Sequence, residues 1–263
     1  MPVIGLGTWR AFDVGVGTAA RRPLGEVLRL LFDSGGRMID SSPMYGRAEA
    51  VSGDLLAEMN ARPRAFLATK VWTTGRESGI SQMQCSAQLL RTEVIDLIQI
   101  HNLVDWRTHL ATLRRMKEEG RVRYIGITHY TTGALPELAR ILNSEPGIDF
   151  VQFGYSLATR AAERELLPTA TARGVAAIVN QPLERGTLFR QIRGRALPDW
   201  ASECDCRSWA QLFLKYILAE PAVTCVIPAT GNPDHMNDNL GAGFGRLPDT
   251  SQRQQIRDLW DAA

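Results

Sequence analysis

Short apolar runs alternate along the chain with amphipathic stretches of about a dozen residues, the pattern of strands each followed by a helix. Strands are predicted at Val3–Leu6, Arg37–Asp40, Phe66–Lys70, Leu97–His101, Tyr124–Ile127, Phe150–Phe153, Ala176–Val179 and Cys225–Pro228. The intervening segments Leu24–Ser34, Ala48–Asn60, Gln82–Leu90, His109–Glu119, Ala134–Asn143, Ala161–Arg173 and Trp209–Ala219 read as helices, and Gln252–Asp261 as a last one. Three of them run into "DSGG", "EEGR" and "ARGV", which put glycine where a helix closes with a left-handed residue.

Eight strand-then-helix units imply a parallel sheet, and for eight strands closure into a barrel is the economical solution. The alternative is an open doubly wound sheet, which calls for G-x-G-x-x-G after the first strand. "GLGTW" at Gly5–Trp9 has the first two glycines and lacks the third. The expected fold is therefore α/β, a (β/α)8 TIM barrel forming a single domain over residues 1–263, close to the roughly 250 residues usual for such barrels. One segment breaks the rhythm: Leu183 to Cys206, "LERGTLFRQIRGRALPDWASECDC", a long loop after strand seven. A stretch that long without regular structure is usually functional, often a lid. Its Arg185, Arg190, Arg193 and Arg195 suit an anionic ligand, or equally a solvated surface.

Composition narrows the partners. Hydrophobic residues make up 44% and charged residues 22%, enough apolar surface for a sizeable core. Thirty Lys and Arg against 28 Asp and Glu leave a net charge of +2, too balanced for a nucleic-acid surface or a polybasic membrane anchor. A small-molecule partner is the expectation, with the oligomeric state open. No run approaches the roughly 18 apolar residues of a membrane span, and no leader-like N-terminus is evident. The chain reads as soluble and cytoplasmic, with an exported form whose leader was removed as the alternative. Cys85, Cys204, Cys206 and Cys225 have neither CxxC nor disulfide-framework spacing, so reduced thiols are expected; Cys204 and Cys206 alone make a weak metal or redox motif.

In a barrel, chemistry sits at the C-terminal ends of the strands. Those ends carry Asp40 after strand two with Tyr45 in its loop, Lys70 after strand three and His101 after strand four. Each has a bland reading alone: a helix cap, a packing phenol, a solvated amine, a structural imidazole. Lys70 is the hardest to dismiss, because it ends a strand that is buried on both faces and a charge there needs a partner. Asp40 on the neighbouring strand is the candidate partner. A phenol titrates near pH 10 and is a poor acid unless its conjugate base is stabilised. A lysine at about 4 Å and an effective dielectric near 20 offers roughly 4 kcal/mol, about three pK units at most, and burial opposes it. On this reading Tyr45 donates a proton to a carbonyl oxygen, Asp40 keeps Lys70 charged, and His101 orients the carbonyl.

At this point the chain resembles the aldo-keto reductase family. The resemblance rests on "GLGTW" (Gly5–Trp9), "IDSSPMYGRAE" (Ile39–Glu49), "LATKVW" (Leu67–Trp72), "DLIQIHN" (Asp96–Asn102), "YIGITHY" (Tyr124–Tyr130), "VQFGYS" (Val151–Ser156) and "VIPATGNPDHMNDN" (Val226–Asn239). It implies NAD(P)H-dependent reduction of an aldehyde or ketone, of the alcohol dehydrogenase or carbonyl reductase type. By position it puts the nicotinamide carboxamide on Gln152 and the Thr128-His129 pair, and the adenosine near Asp238 and Asn239. It also places the pyrophosphate under the loop that begins at Leu183, with Arg185 and Gly186. Gly7, Thr8, Trp9, Asn180, Thr230 and His235 complete the implied cofactor set.

Three departures from the family pattern qualify this reading. Asn180 stands where many relatives stack an aromatic ring on nicotinamide. Ala229-Thr230 and His235 replace the Lys-Ser and Arg that hold a 2′-phosphate, so NADP(H) is favoured by resemblance and NAD(H) remains possible. The chain ends 24 residues after Asn239, which implies a comparatively open substrate pocket, with Trp9, Trp72 and Phe12 as candidates for its apolar wall. Two other function classes fit the sequence less well. A non-catalytic or slow NADP(H)-binding sensor subunit of the same fold has less need of all four reactive groups. A metal hydrolase built on Asp40 and His101 lacks ligand spacing, so no metal is expected.

Overall fold

The computed structural model describes residues 3–262. The apolar runs form eight strands: β1 (Leu6–Gly7), β2 (Met38–Asp40), β3 (Phe66–Val71), β4 (Ile95–His101), β5 (Val122–His129), β6 (Phe150–Gly154), β7 (Ala176–Asn180) and β8 (Val223–Val226). They lie in sequence order in one sheet, every neighbouring pair parallel. Closure comes from the segment just before β1. Ile4 bridges Val226, Gly5 N–H donates to Val226 O at 2.8 Å, and Val226 N–H donates to Val3 O at 2.9 Å. The result is the (β/α)8 barrel that the alternation predicts.

Ten helices surround the strands among the described residues: α1 (Thr18–Asp33), α2 (Ala48–Glu58), α3 (Arg76–Leu89), α4 (Trp106–Glu118), α5 (Leu135–Ser144), α6 (Leu166–Arg173), α7 (Leu188–Gln191), α8 (Trp209–Leu218), α9 (Pro233–Gly241) and α10 (Thr250–Asp261). The stops after α4 and α6 have the expected chemistry: Gly120 and Gly174 sit at φ +73° and +66°, which cost glycine nothing. α6 begins later than expected because Ala161–Glu163 forms a separate 3-10 turn. No helix among the described residues is long and apolar enough to cross a membrane.

Two expectations are corrected. Leu183–Cys206 is not irregular: it folds as a 3-10 turn at Glu184–Gly186, the short α7, and a second 3-10 stretch at Asp199–Cys204. Helix α9 was not foreseen, although its start is written in the sequence. Asn232 accepts from Asp234 N–H at 2.8 Å as N-cap, and Pro233 occupies the first turn, where a missing N–H costs no helical bond.

Strand alternation divides the apolar residues into two cores. Met38, Ala68, Leu97, Phe150, Ile178, Cys225 and Ile227 form one cluster, the filling of the barrel. Their neighbours in sequence, Ile39, Leu67, Ile98, Val151, Val179 and Val226, face the helices in the larger cluster. The apolar filling stops where Asp40, Lys70, Gln99, Thr128 and Gln152, all buried, form a polar layer at the C-terminal ends of the strands. Glu163 ties α10 to the barrel: its Oε1 accepts from Tyr155 OH, Tyr216 OH and Arg253 Nη2, and its Oε2 pairs with Arg257 at 3.2 Å.

Candidate active site

Parallel register brings the four predicted groups together. Asp40 ends β2 and pairs in register with Ala68 of β3, two residues before Lys70. Inward-pointing residues alternate, so Asp40 and Lys70 project into the same space. Lys70 Nζ donates to Asp40 Oδ2 at 2.6 Å and to Ser41 O at 2.7 Å. Both side chains are withdrawn from water, at 1% and 3% exposure. Burial pulls the Lys70 pKa down, but Asp40 and then the Tyr45 phenol more than offset it, and it lies above its ordinary value.

Tyr45 reaches the group from the loop between β2 and α2. Its ring lies 5.2 Å from Lys70 Nζ and packs edge-on to His101 with centroids 6.2 Å apart. The sequence argument let Lys70 win the contest over this phenol. In the structure burial is the largest influence, Lys70 pulls down against it, Asp40 pushes up, and the net shift is upward. Tyr45 is therefore a fully protonated phenol at neutral pH.

His101 ends β4 one layer above Gln99. Burial first, then the Lys70 charge and His129, lower its pKa to about 3, so the ring is neutral. Its Nδ1 lies 3.2 Å from Ser42 Oγ. Met44 N–H points at the same hydroxyl oxygen from 3.5 Å. Ser42 and Gln99 are residues that the sequence argument passed over. Both follow the strand period, one two residues after Asp40 and the other two before His101.

These groups form the floor of a cavity of about 870 Å³, near the top of the roughly 300–1,000 Å³ usual for small-ligand sites. Asp40, Tyr45 and His101 line it, and Lys70 stands behind them. Of the implied cofactor set, Gly7, Thr8, Trp9, Thr128, Gln152, Asn180, Leu183, Arg185, Gly186, Thr230, His235, Asp238 and Asn239 all face the same space. His129 does not. Its ring turns aside, where Nδ1 accepts from Thr131 N–H at 3.2 Å, and it stacks on Tyr130. Phe12 is wholly buried in the helix-facing core, so it packs and walls nothing. Trp72 is 43% exposed and lies outside the cavity lining, with its ring 6.4 Å from His101. Met44, Tyr130, Phe189 and Trp209 supply apolar lining that the sequence argument did not name.

Several contacts bear on what the cavity can hold. Gln152 Nε2 donates to Asp40 Oδ1 at 2.9 Å, while its Oε1 receives weak contacts from Thr128 Oγ1 at 3.3 Å and Asn180 Nδ2 at 3.4 Å. Asn180 Oδ1 is buried with no partner, an acceptor free for an amide donor. Two guanidinium groups lie over the Trp9 ring, Arg10 at 4.4 Å and Arg185 at 4.7 Å from its centroid. These two cations and the first turn of α9 give the upper cavity positive charge that suits a polyphosphate. Asp238 is committed to the protein: its carboxylate accepts from Ser208 Oγ and Gln211 Nε2, both at 2.8 Å. The donor set thus fits a nicotinamide dinucleotide, with amide-reading groups below and cations above.

Comparison with known proteins agrees. The model of the aldo/keto reductase family matches residues 3–261. The 9,11-endoperoxide prostaglandin H2 reductase of Trypanosoma cruzi is 27% identical, over 97% of this chain and 86% of that protein. The methylglyoxal reductase YeaE of Escherichia coli is 26% identical, over 91% of this chain and 84% of that one. Among solved structures, an aldo-keto reductase from Klebsiella pneumoniae in complex with NADPH superimposes with a TM-score of 0.83 at 25% identity, covering 99% of this chain and 91% of that chain. Another structure from that organism, in complex with NADP and acetate, gives 0.81 at 25% identity, covering 99% and 92%. The chain belongs to the aldo/keto reductase family.

Proposed function

We propose that this protein is an NADP(H)-dependent carbonyl reductase that converts an aldehyde or ketone to the alcohol. The observation that carries the reading is the buried Lys70–Asp40 pair set behind Tyr45 at the floor of a cavity large enough for a dinucleotide. NADP(H), when bound, supplies the hydride. The NADPH and NADP in the Klebsiella structures support the phosphorylated cofactor. Gln152, Thr128 and Asn180 would hold its carboxamide, and Arg185 with the α9 N-terminus its phosphates.

Tyr45 carries the proton. Its pKa is raised, so it stays protonated until charge develops on the carbonyl oxygen. An alkoxide is far more basic than a phenolate, so transfer is downhill once that charge forms. Lys70 then faces the new phenolate across a short, dry gap, where its attraction is worth most. Asp40 holds Lys70 in place, and neutral His101 offers Nε2–H to the carbonyl oxygen and fixes its direction. The apolar lining from Trp9, Met44 and Tyr130 favours substrates with a hydrophobic body, such as aryl aldehydes and aryl 2-oxoaldehydes.

The test is loss of NADPH absorbance with 4-nitrobenzaldehyde and phenylglyoxal, run on wild type and Tyr45→Phe. Turnover that falls by about two or more orders of magnitude in the variant, with nucleotide affinity kept, is expected. Unchanged turnover in Tyr45→Phe removes the assigned acid.

A further inference from the structure

We infer that Gln99 is a positioning residue of this site, acting through Asp40 on the Lys70–Tyr45 pair. The inference rests on the carbonyl-reductase reading above. It begins from a buried amide where an apolar side chain belongs. Gln99 lies in the middle of β4, at 0% exposure, directly above Leu97 of the apolar filling. Its Nε2 reaches across β3 and donates to Asp40 Oδ1 at 3.0 Å. Its Oε1 is buried and has no partner. A side chain present only to fill the barrel would be a leucine or methionine and would leave no acceptor stranded. The amide is there for its NH2.

The barrel makes room for it. In register, Gln99 is flanked by Lys70 on β3 and Gly126 on β5. A Cβ at Gly126 would stand 2.9 Å from Gln99 Cγ and 3.1 Å from Phe150 O, so the glycine leaves the space that the Gln99 side chain crosses.

The bond has a specific use. Asp40 Oδ1 receives two amides, Gln99 at 3.0 Å and Gln152 at 2.9 Å, while Oδ2 receives Lys70. Gln152 also lines the cavity and is the residue that would turn to a nicotinamide carboxamide. Gln99 is absent from the lining and serves Asp40 alone. It is the donor that stays when the cavity fills, and it keeps the carboxylate oriented so that Oδ2 faces Lys70.

Two variants test this, Gln99→Met and Gln99→Glu, in steady-state reduction of 4-nitrobenzaldehyde by NADPH from pH 5 to 8. Thermal melting and the Kd for NADPH are measured alongside. Gln99→Met keeps the size and removes the donor. It is expected to bind NADPH as wild type does and to hold KM within about twofold, with kcat down about tenfold to a hundredfold. Gln99→Glu puts a second carboxyl against Asp40. Protonated, it can donate as the amide does; ionised, it repels. Its kcat relative to wild type is therefore expected to fall as pH rises across this range.

The titratable groups facing the cluster are Lys70 on β3, Tyr45 in the β2–α2 loop, His101 on β4, Glu49 behind β3, and Cys225 on β8, whose thiol is pushed up to about 12 by burial and by Asp40. All are shared with wild type, so the ratio isolates the introduced carboxyl. Both variants tracking wild-type kcat at every pH, with only the melting temperature changed, would make Gln99 a packing residue and overturn the inference. If Gln99→Met does not fold, the pH ratio of Gln99→Glu decides alone. Wild type inactive on all carbonyls, or Tyr45→Phe fully active, would instead overturn the reading of the site and the inference with it, and neither measurement involves position 99.

Discussion

Lys70 Nζ and Asp40 Oδ2 lie 2.6 Å apart, both closed off from solvent, and no other charged side chain forms an ion pair with either among the described residues. Such a pair is costly to break one member at a time and cheap to replace as a unit. Its presence in the middle of a polar layer is thus not explained by stability alone.

That asymmetry gives a stability test. Lys70→Met is expected to destabilise the fold by about 3–5 kcal/mol, because it leaves Asp40 charged and buried. Asp40→Asn combined with Lys70→Met should recover most of that loss, since the asparagine oxygen can still accept from Gln99 and Gln152. Neither protein should reduce carbonyls at a useful rate. Urea unfolding and the NADPH assay, run on the same preparations, give both readouts. A double variant no more stable than Lys70→Met would contradict the pairing argument.

The neutral state of His101 has a linkage consequence. Its folded pKa, about 3, lies below the ordinary value of 6.5, so between these two pH values the unfolded chain binds more protons than the folded one. Stability contributed by the neutral ring is present above pH 6.5 and is lost as pH falls towards 3, by at most about 1.4 kcal/mol per pH unit. His101→Gln should flatten the acid limb of the melting temperature in that window. An imidazole resonance for His101 titrating near pH 6.5 in NMR would reject the assignment.

Trp9 and Arg185 link the loop after β1 to the loop after β7 across the cavity mouth, ring to guanidinium at 4.7 Å. A phosphate entering below would gain a charge-assisted partner in Arg185. Arg185→Ala is expected to raise the Kd for NADPH about tenfold, or about 1.4 kcal/mol, and to leave kcat within about threefold. Titration by quenching of tryptophan fluorescence measures it, and an unchanged Kd would remove Arg185 from the phosphate site.

The Glu163 cluster should matter to stability and not to chemistry. Glu163→Ala takes away the acceptor of the Tyr155 and Tyr216 hydroxyl protons and removes the ion pair of Arg257 and one of the two of Arg253, which keeps Glu220 at 3.0 Å. A loss of about 3 kcal/mol in unfolding free energy is expected, with kcat unchanged well below the melting temperature. A large loss of kcat in a variant that is still folded would show coupling between α10 and the barrel floor.

The barrel and the meeting of Asp40, Tyr45, Lys70 and His101 at one rim were legible in the sequence because both follow from short-range rules. Strand period two and helix period 3.6 identify the units, their number implies closure, and parallel strands deliver their ends to one rim, so Asp40, Lys70 and His101 could be placed before any coordinates. Helix α9 was legible too: "NPD" carries a cap residue, a first-turn proline and a first-turn acid.

Other features depend on distances that no local pattern encodes. The sequence puts an ammonium near a phenol but not the depth of either. Because desolvation depends on everything packed around the ring, only the fold decided that burial outweighs Lys70 at Tyr45. Likewise, nothing in "VQFGYS" or "DLIQIHN" tells that Gln152 and Gln99 converge on one oxygen of Asp40, 112 and 59 residues away along the chain. Which residues share a face is written in the spacing along each strand. Which of them meet across the barrel is set by closure and register, properties of eight strands acting together.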